Sequence, residues 1–417
     1  MTGRPHIAVL HRWRDRYAEY ERYLDHDRYA VSYLTTEVGV PAVPRGAAEV
    51  VIVPATDELP LIRKELERLA ARHGPLRAVV ALKEDDLLVA AELAAGLGAP
   101  GRSIGQLLPF RDKLLMARQV ADAGLTVPPF APAPDPQAVA GFAARHGWPV
   151  VLKPRTGSSS AGVRILRGPE DLAAADWSGV PALVQAFNPH PIHHVDGVFD
   201  GRRLGPWRAS RYLDTCLDFR TGTPLGSVEV DDPRTLRAIE EFTTAVLRAL
   251  TDAPTVLHLE LFLQGDRCSF LEVGARVGGA EIPFLWRELH GYDLMEAAFR
   301  IAVGERPRAA ADPALGSRVG GWLLAPLPAA RPCVIEQATP MVGRSPGPYA
   351  ESVPRPGELV PAADAYYEHV GGRFRFAGPS SAAVKEAITA TARDFRVTAR
   401  PVAPPELTDH HAERSRR

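Results

Sequence analysis

Apolar residues fall along the chain in two rhythms. Short apolar runs at Ile7–Leu10, Glu49–Pro54 and Ala78–Leu82 read as strands, while Leu59–His73 and Asp85–Gly96 repeat apolar positions at helical spacing. Gly74-Pro75 stops the first of these helices, and Pro100-Gly101 closes the whole stretch. Strands alternating with helices over roughly the first 100 residues predict a small, mostly parallel α/β unit. Arg111–Ala123 then reads as a helix, and the proline-rich run Pro129–Pro136 as a linker into a helix at Gln137–His146. Strands follow at Pro149–Lys153, Val163–Leu166, Ala182–Phe187, Val195–Phe199 and Ser227–Val230, with Pro206–Pro224 as a loop-like stretch. A helix at Pro233–Leu250 leads to two strands, Val256–Leu263 and Cys268–Val273, and Glu281–Gly304 reads as two helices broken at Gly291. From Val319 onward, short strands between Gly and Pro, with one helix near Ser381–Ala392, predict a small β-rich unit. Pro404–Arg417 reads as a disordered tail.

The strand pair around Gln264–Arg267 carries the most information. Leu257, Leu259, Leu261 and Leu263 make one face of the first strand, and Leu271 and Val273 supply an apolar face on the second. Matching those faces puts Glu260 and Glu272 together on the other side. Cross-strand partners then have residue numbers with an even total, whereas a two-residue turn demands an odd one, so the turn must be odd in length or the ladder bulged. Two carboxylates on one face of a hairpin repel unless a cation lies between them, so Glu260 and Glu272 are the candidate metal ligands.

Three other places carry chemistry. At Val150–Arg155 a strand delivers Lys153 into Thr156-Gly157-Ser158-Ser159-Ser160-Ala161-Gly162. Small residues let backbone N–H groups approach phosphate oxygens, the serines add hydroxyl donors, and Lys153 adds charge. The order of residues is not that of a Walker A loop. A second lysine, Lys113, opens a helix in Phe110-Arg111-Asp112-Lys113. Arg276 lies two alternations beyond Glu272 and projects from the same face, where a guanidinium can hold a phosphoryl group or an oxyanion. Its plain alternative is a salt bridge to Glu272.

Composition narrows the class. The chain of 417 residues exceeds what one hydrophobic core serves, and 46% apolar with 24% charged residues is ordinary for a soluble globular protein. A net charge of −1 carries no footprint for nucleic acid. Apolar runs fall short of the roughly 20 residues that span a bilayer, so no membrane partner is expected, and Ile7–Leu10 is too short for a signal-peptide core. Cys216, Cys268 and Cys333 are scattered and read as reduced thiols of the cytoplasm. Only five of the 49 basic residues are lysines: Lys64, Lys83, Lys113, Lys153 and Lys385. Where such a chain keeps a lysine, a compact ammonium is preferred to a planar guanidinium.

The order of these parts resembles the ATP-grasp superfamily: a lysine, a lysine with a Gly/Ser loop, an apolar strand, two glutamates on a hairpin, and Arg-x-Gly-Gly. Within it the chain is most similar to carboxylate–amine ligases that join amino acids. Phe110–Lys113, His194-Val-Asp-Gly197, His258-Leu-Glu260 and Glu272–Gly279 carry that closer match. The resemblance implies an α/β ATP-grasp fold with a Rossmann-like pre-ATP-grasp domain over 1–110. The grasp itself follows as a small subdomain over 111–187 and a large one over 188–318, with a C-terminal α+β unit over 319–402 and the tail over 403–417. It implies that ATP phosphates meet Lys113, Lys153 and the loop Ser158, Ser159, Ser160 and Gly162, and that Gln185, Ala186 and Phe187 form the adenine hinge. Glu260 and Glu272 would hold Mg2+, with Mn2+ as a substitute, and Arg276 would steady the acyl phosphate. The substrates would be a small carboxylate and an amine, amino acids or their derivatives, and a homodimer is compatible with the family.

Two departures stand out. Gln185 occupies the hinge position that is often acidic, and His193 or His194 stands where a ribose-binding Glu is common. Gly274 replaces the Asn usual two residues after the second metal-binding Glu. Other readings are an ATP-grasp enzyme with thiol or carboxyphosphate chemistry and a nucleotide-binding regulator without catalysis. An oxidoreductase lacks its G-x-G-x-x-G after Ile7–Leu10.

Overall fold

The structure, a computed structural model, describes residues 4–13, 17–177, 179–310, 317–327, 331–361 and 370–402. The tail expected over 403–417 lies outside the described residues. The chain divides into two compact units: Met1–Ala209 with Arg234–Gly278 and Gly291–Leu315, and Ser210–Pro233 with Gly279–His290 and Gly316–Arg417.

The first unit opens with four parallel strands, β1 (His6–His11), β2 (Ala30–Thr35), β3 (Glu49–Ile52) and β4 (Leu76–Ala81), in the order β3-β2-β1-β4. Helices Leu59–His73 and Leu87–Gly96 pack on it through Ile62, Leu66, Leu69, Leu93 and Ala94. β2 is a correction to the sequence reading, which passed over it. All six of its residues are buried, so it shows none of the in–out alternation that marks a half-exposed strand.

A four-stranded antiparallel sheet follows, built from β5 (Phe130–Ala133), β6 (Val150–Pro154), β7 (Arg164–Leu166) and β8 (Ala182–Ala186), in the order β5-β8-β6-β7. β5 lies inside the expected linker. It is an edge strand, the one place in a sheet where Pro132 is tolerated. Helix Pro136–His146 covers this sheet with Val139 and Phe142, both fully buried. The unit ends in strands β9 (Ile192–Phe199), β10 (Leu204–Tyr212), β12 (Thr255–Gln264) and β13 (Arg267–Gly274), in the order β13-β12-β9-β10. Arg208 and Arg211, expected in a loop, belong to β10. Arg220 follows a short helix, Cys216–Phe219.

In the second unit, Ser210–Tyr212 pairs with β11 (Leu225–Glu229), which continues to β14 (Val319–Pro326), β18 (Val370–Gly378) and β16 (Ala350–Ser352). A second sheet joins β15 (Cys333–Ala338) to β17 (Leu359–Val360) and β19 (Val397–Pro401). Helix Ser381–Asp394 closes the core of Leu323, Phe374, Phe376 and Ile388. Among the described residues no helix is long and apolar enough to cross a membrane.

Candidate active site

The hairpin resolves the parity conflict in one of the two ways the sequence leaves open, by a bulge. Gly265-Asp266 makes a two-residue turn, and pairing runs Gln264↔Arg267 to Leu261↔Phe270 before a bulge shifts it to Glu260↔Glu272 and Leu259↔Val273. The apolar face of β13 therefore passes from Phe270 to Val273, and Leu271, expected in that face, is the extra residue. β9 pairs on the other side of β12, with Glu260↔His194 and His258↔Asp196. Direct partners share a sheet face, so that face carries one row of Glu272, Glu260 and His194, and a second row of Gly274, His258 and Asp196.

Four groups of this face, His194, Asp196, His258 and Glu260, follow one another in contact. Asp196 bridges two imidazoles, with Oδ2 2.6 Å from Nδ1 of His194 and Oδ1 2.8 Å from Nδ1 of His258. Nε2 of His258 lies 3.5 Å from Oε1 of Glu260. Burial works against both charges, yet Asp196 stays well below the usual carboxylate range because the two imidazoles face it. Burial would lower His258, but Asp196 and Glu260 push it up to about 9.

The lysines converge from other elements. Asp112 caps helix Lys113–Asp122 by accepting the Leu114 and Leu115 N–H groups at 3.0 and 3.2 Å, and it pairs with Arg155 just past β6. Lys113 N–H donates to the Arg155 carbonyl at 2.8 Å. Lys113 Nζ donates to the Gly157 carbonyl at 3.0 Å and lies 3.5 Å from Oε2 of Glu272. Lys153 is 4% exposed. Desolvation lowers its pKa to about 8, opposed by Glu272 and Glu260 and helped by Lys113. The pairs expected from sequence, Lys113 with Lys153 and Glu260 with Glu272, thus lie within each other's electrostatic reach.

The Gly/Ser loop is strained at its tip. Ser159 and Ser160 both have positive φ, 54° and 55°, inside a turn closed by Ala161 N–H on the Ser158 carbonyl at 3.1 Å. Non-glycine residues held there cost on the order of 1 kcal/mol each. Gly162 also has positive φ, and a Cβ there would meet Cγ of Pro154 at 2.8 Å. Ser158 Oγ donates to Oδ1 of Asp85 at 3.2 Å. Gln185 is buried and pairs with Val151, two residues before Lys153 and on the same sheet face. Ala186 ends β8, and the Phe187 ring beyond it is exposed.

Arg276 is bonded, but not to Glu272. Its Nε donates to Oε2 of Glu84 at 2.8 Å, and Nη1 donates to the Val277 carbonyl at 3.1 Å. Burial alone would raise the Glu84 carboxyl, but Arg276 and Arg111 outweigh it and hold it at about 2. Arg111 also pairs with Glu84. The arginine lies across Gly274, where a Cβ would sit 3.3 Å from its Cγ and 3.4 Å from its Nε. The missing Asn therefore leaves room for Arg276.

Sequence reasoning passed over Glu84, Asp196 and His258. The signal for Glu84 was the acidic run Glu84-Asp85-Asp86 just beyond the carboxyl end of parallel strand β4, a usual place for ligand contacts in α/β sheets. The signal for Asp196 and His258 was their spacing of two from His194 and Glu260, which places all four on one face.

Glu260 and Glu272 offer the hard oxygen donors that suit Mg2+, side by side on adjacent strands beside two ammonium groups. The Gly/Ser loop lies beside them, its Gly157 carbonyl accepting from Lys113.

No model of a known protein family matches the chain. An L-arginine-specific L-amino acid ligase of Bacillus subtilis is 22% identical over 306 residues, 70% of this chain and 73% of that protein. The crystal structure of an L-amino acid ligase from Bacillus licheniformis superposes with a TM-score of 0.74 at 15% identity, over 95% of this chain and 99% of its own. The biotin carboxylase domain of 2-oxoglutarate carboxylase from Hydrogenobacter thermophilus, a dimer solved with MgADP, ADP and bicarbonate, has a TM-score of 0.65 at 16% identity and covers 96% and 92%. Across nearly its whole length, the chain shares the ATP-grasp fold with these structures.

Proposed function

We propose that the protein is an ADP-forming ligase that activates a small carboxylate as an acyl phosphate and passes the acyl group to an amine. The observation that carries this reading is the meeting of Lys113, Lys153, Glu260, Glu272 and Arg276, which are drawn from four separate elements. A carboxylate is a poor acyl donor because its oxygen is a poor leaving group; when that oxygen attacks the γ-phosphorus and ADP departs, it becomes part of a phosphate that the amine can displace. What the chain supplies is position and charge. Lys113 and Lys153 face the transferring phosphates, and Ser158–Gly162 covers them and excludes water. Glu260 and Glu272 hold Mg2+, which neutralises phosphate charge when bound. Arg276, fixed at Nε by Glu84, turns its remaining N–H groups toward the acyl oxygen. Gln185, Ala186 and Phe187 form the adenine-binding edge. His194 stands beside Glu260, so its role shifts from ribose contact toward the metal row. Residues 111–187 and 188–318 act as the two parts of the grasp.

The likeness to two amino-acid ligases makes amino acids the first substrates to test, as donor and acceptor alike. ADP release is measured with ATP, Mg2+ and amino acids offered singly and in pairs. Release that needs a pair, with an amide product by mass spectrometry, is the expected outcome. Release that needs bicarbonate or a thiol instead overturns the choice of acceptor, and nucleotide binding without turnover on any pair favours a regulator.

A further inference from the structure

The geometry points to His258 as a third protein ligand of the metal held by Glu260 and Glu272, taking the place of the Asn that Gly274 replaces. This rests on the proposed nucleotide–metal site and adds to it a nitrogen donor and a preference for Mn2+ over Mg2+.

Four observations carry the inference. His258 pairs directly with Gly274, so its ring stands next to the position from which the usual amide would project. A side chain on Gly274 would crowd Arg276, whose Cγ and Nε would lie 3.3 and 3.4 Å from its Cβ. The imidazole is bound at Nδ1 by Asp196 at 2.8 Å, which leaves Nε2 directed to Oε1 of Glu260 at 3.5 Å. Asp196 is itself tied to His194 at 2.6 Å, so the ring is held from behind. A carboxylate on the far nitrogen is the usual support of a metal-binding histidine, since it fixes both tautomer and orientation. Nε2 and the Glu260 oxygen are as far apart as two neighbouring ligands of one cation. A cation binding there takes the Nε2 lone pair, and a proton carried on Nε2 leaves to solvent.

The donor set then becomes two carboxylates and one imidazole. Oxygen ligands alone suit Mg2+, and an imidazole shifts relative affinity toward transition metals such as Mn2+. The buried cluster His194, Asp196 and His258 is better explained as this support than as a separate ion site. Both Nδ1 atoms are already committed to the Asp196 carboxylate.

The test uses the full chain with Mn2+ and ADP, read by electron paramagnetic resonance and needing no turnover. The expected result is nitrogen modulation from a directly bonded imidazole in the echo envelope, altered by 15N-histidine labelling. His258→Ala should lose that modulation and weaken Mn2+ binding about 10–100-fold, with Mg2+ binding changed less and ADP affinity in EDTA unchanged. Mn2+ bound with ADP but without nitrogen modulation in the wild type overturns the inference, whether or not the variant folds. Modulation that persists in a folded His258→Ala protein also overturns it, since His194 would then be the ligand. Failure of the wild type to bind Mn2+ with ADP overturns the nucleotide–metal reading itself, a distinct result.

Discussion

Lys153 is almost fully enclosed, and two carboxylates offset only part of its lost hydration, so its pKa sits at about 8 against 10.5 for a free side chain. Lys153→Met keeps the length of the side chain and removes the charge. The nucleotide-free variant should be more stable, by about 1–3 kcal/mol in urea unfolding, while turnover is lost. The sign also fixes a pH dependence. With the folded value below the unfolded one, the unfolded chain binds more protons between about pH 8 and 10.5, so nucleotide-free stability rises with pH across that window. The rise should vanish in Lys153→Met, and its persistence there would assign it to another group. Ser159 and Ser160 show the same pattern in the backbone, with strain held where a ligand would compensate it.

At the scale of elements, the segment after β4 reaches Arg276 through Glu84, which accepts from its Nε. Glu84→Gln removes the charge that holds Arg276 and Arg111 together. We expect kcat to fall by on the order of 10²-fold, ATP affinity to change little, and Glu84→Asp to recover part of the loss. A normal kcat would leave Arg276 positioned by other contacts. The hairpin was readable from sequence because leucine spacing fixes one face and arithmetic fixes the other. The conflict visible in the residue numbers left an odd turn or a bulge open, and the chain takes the bulge. β2 and β10 were not readable. The first is buried on both faces, so alternation is absent, and the second interrupts its apolar positions with Gly205, Pro206 and two arginines. Pairing with distant strands, which no local window contains, is what makes these segments extended.

Across the whole molecule, the fold was legible because the chemical landmarks come in a fixed order along the chain. The division into two compact units was not, since each draws on three separated segments, and contacts between distant segments leave no local mark. One whole-chain trait has a further chemical consequence. A protein that makes acyl phosphates holds an electrophile beside its own lysines, and a lysine with a pKa of about 8 is partly a free amine at neutral pH. Such an amine is open to acylation by the enzyme's own intermediate. Triphosphate oxygens nearby would draw the proton back onto Lys153, so the nucleotide that creates the hazard also quenches the nucleophile. Only five of the 49 basic residues are lysines, so the chain carries few side-chain amines that could be acylated. Brief treatment with acetyl phosphate, followed by peptide mapping, should therefore mark Lys153 in the nucleotide-free protein and spare it once ADP and Mg2+ are bound. Equal marking in both states would mean that the ammonium keeps its proton by other means.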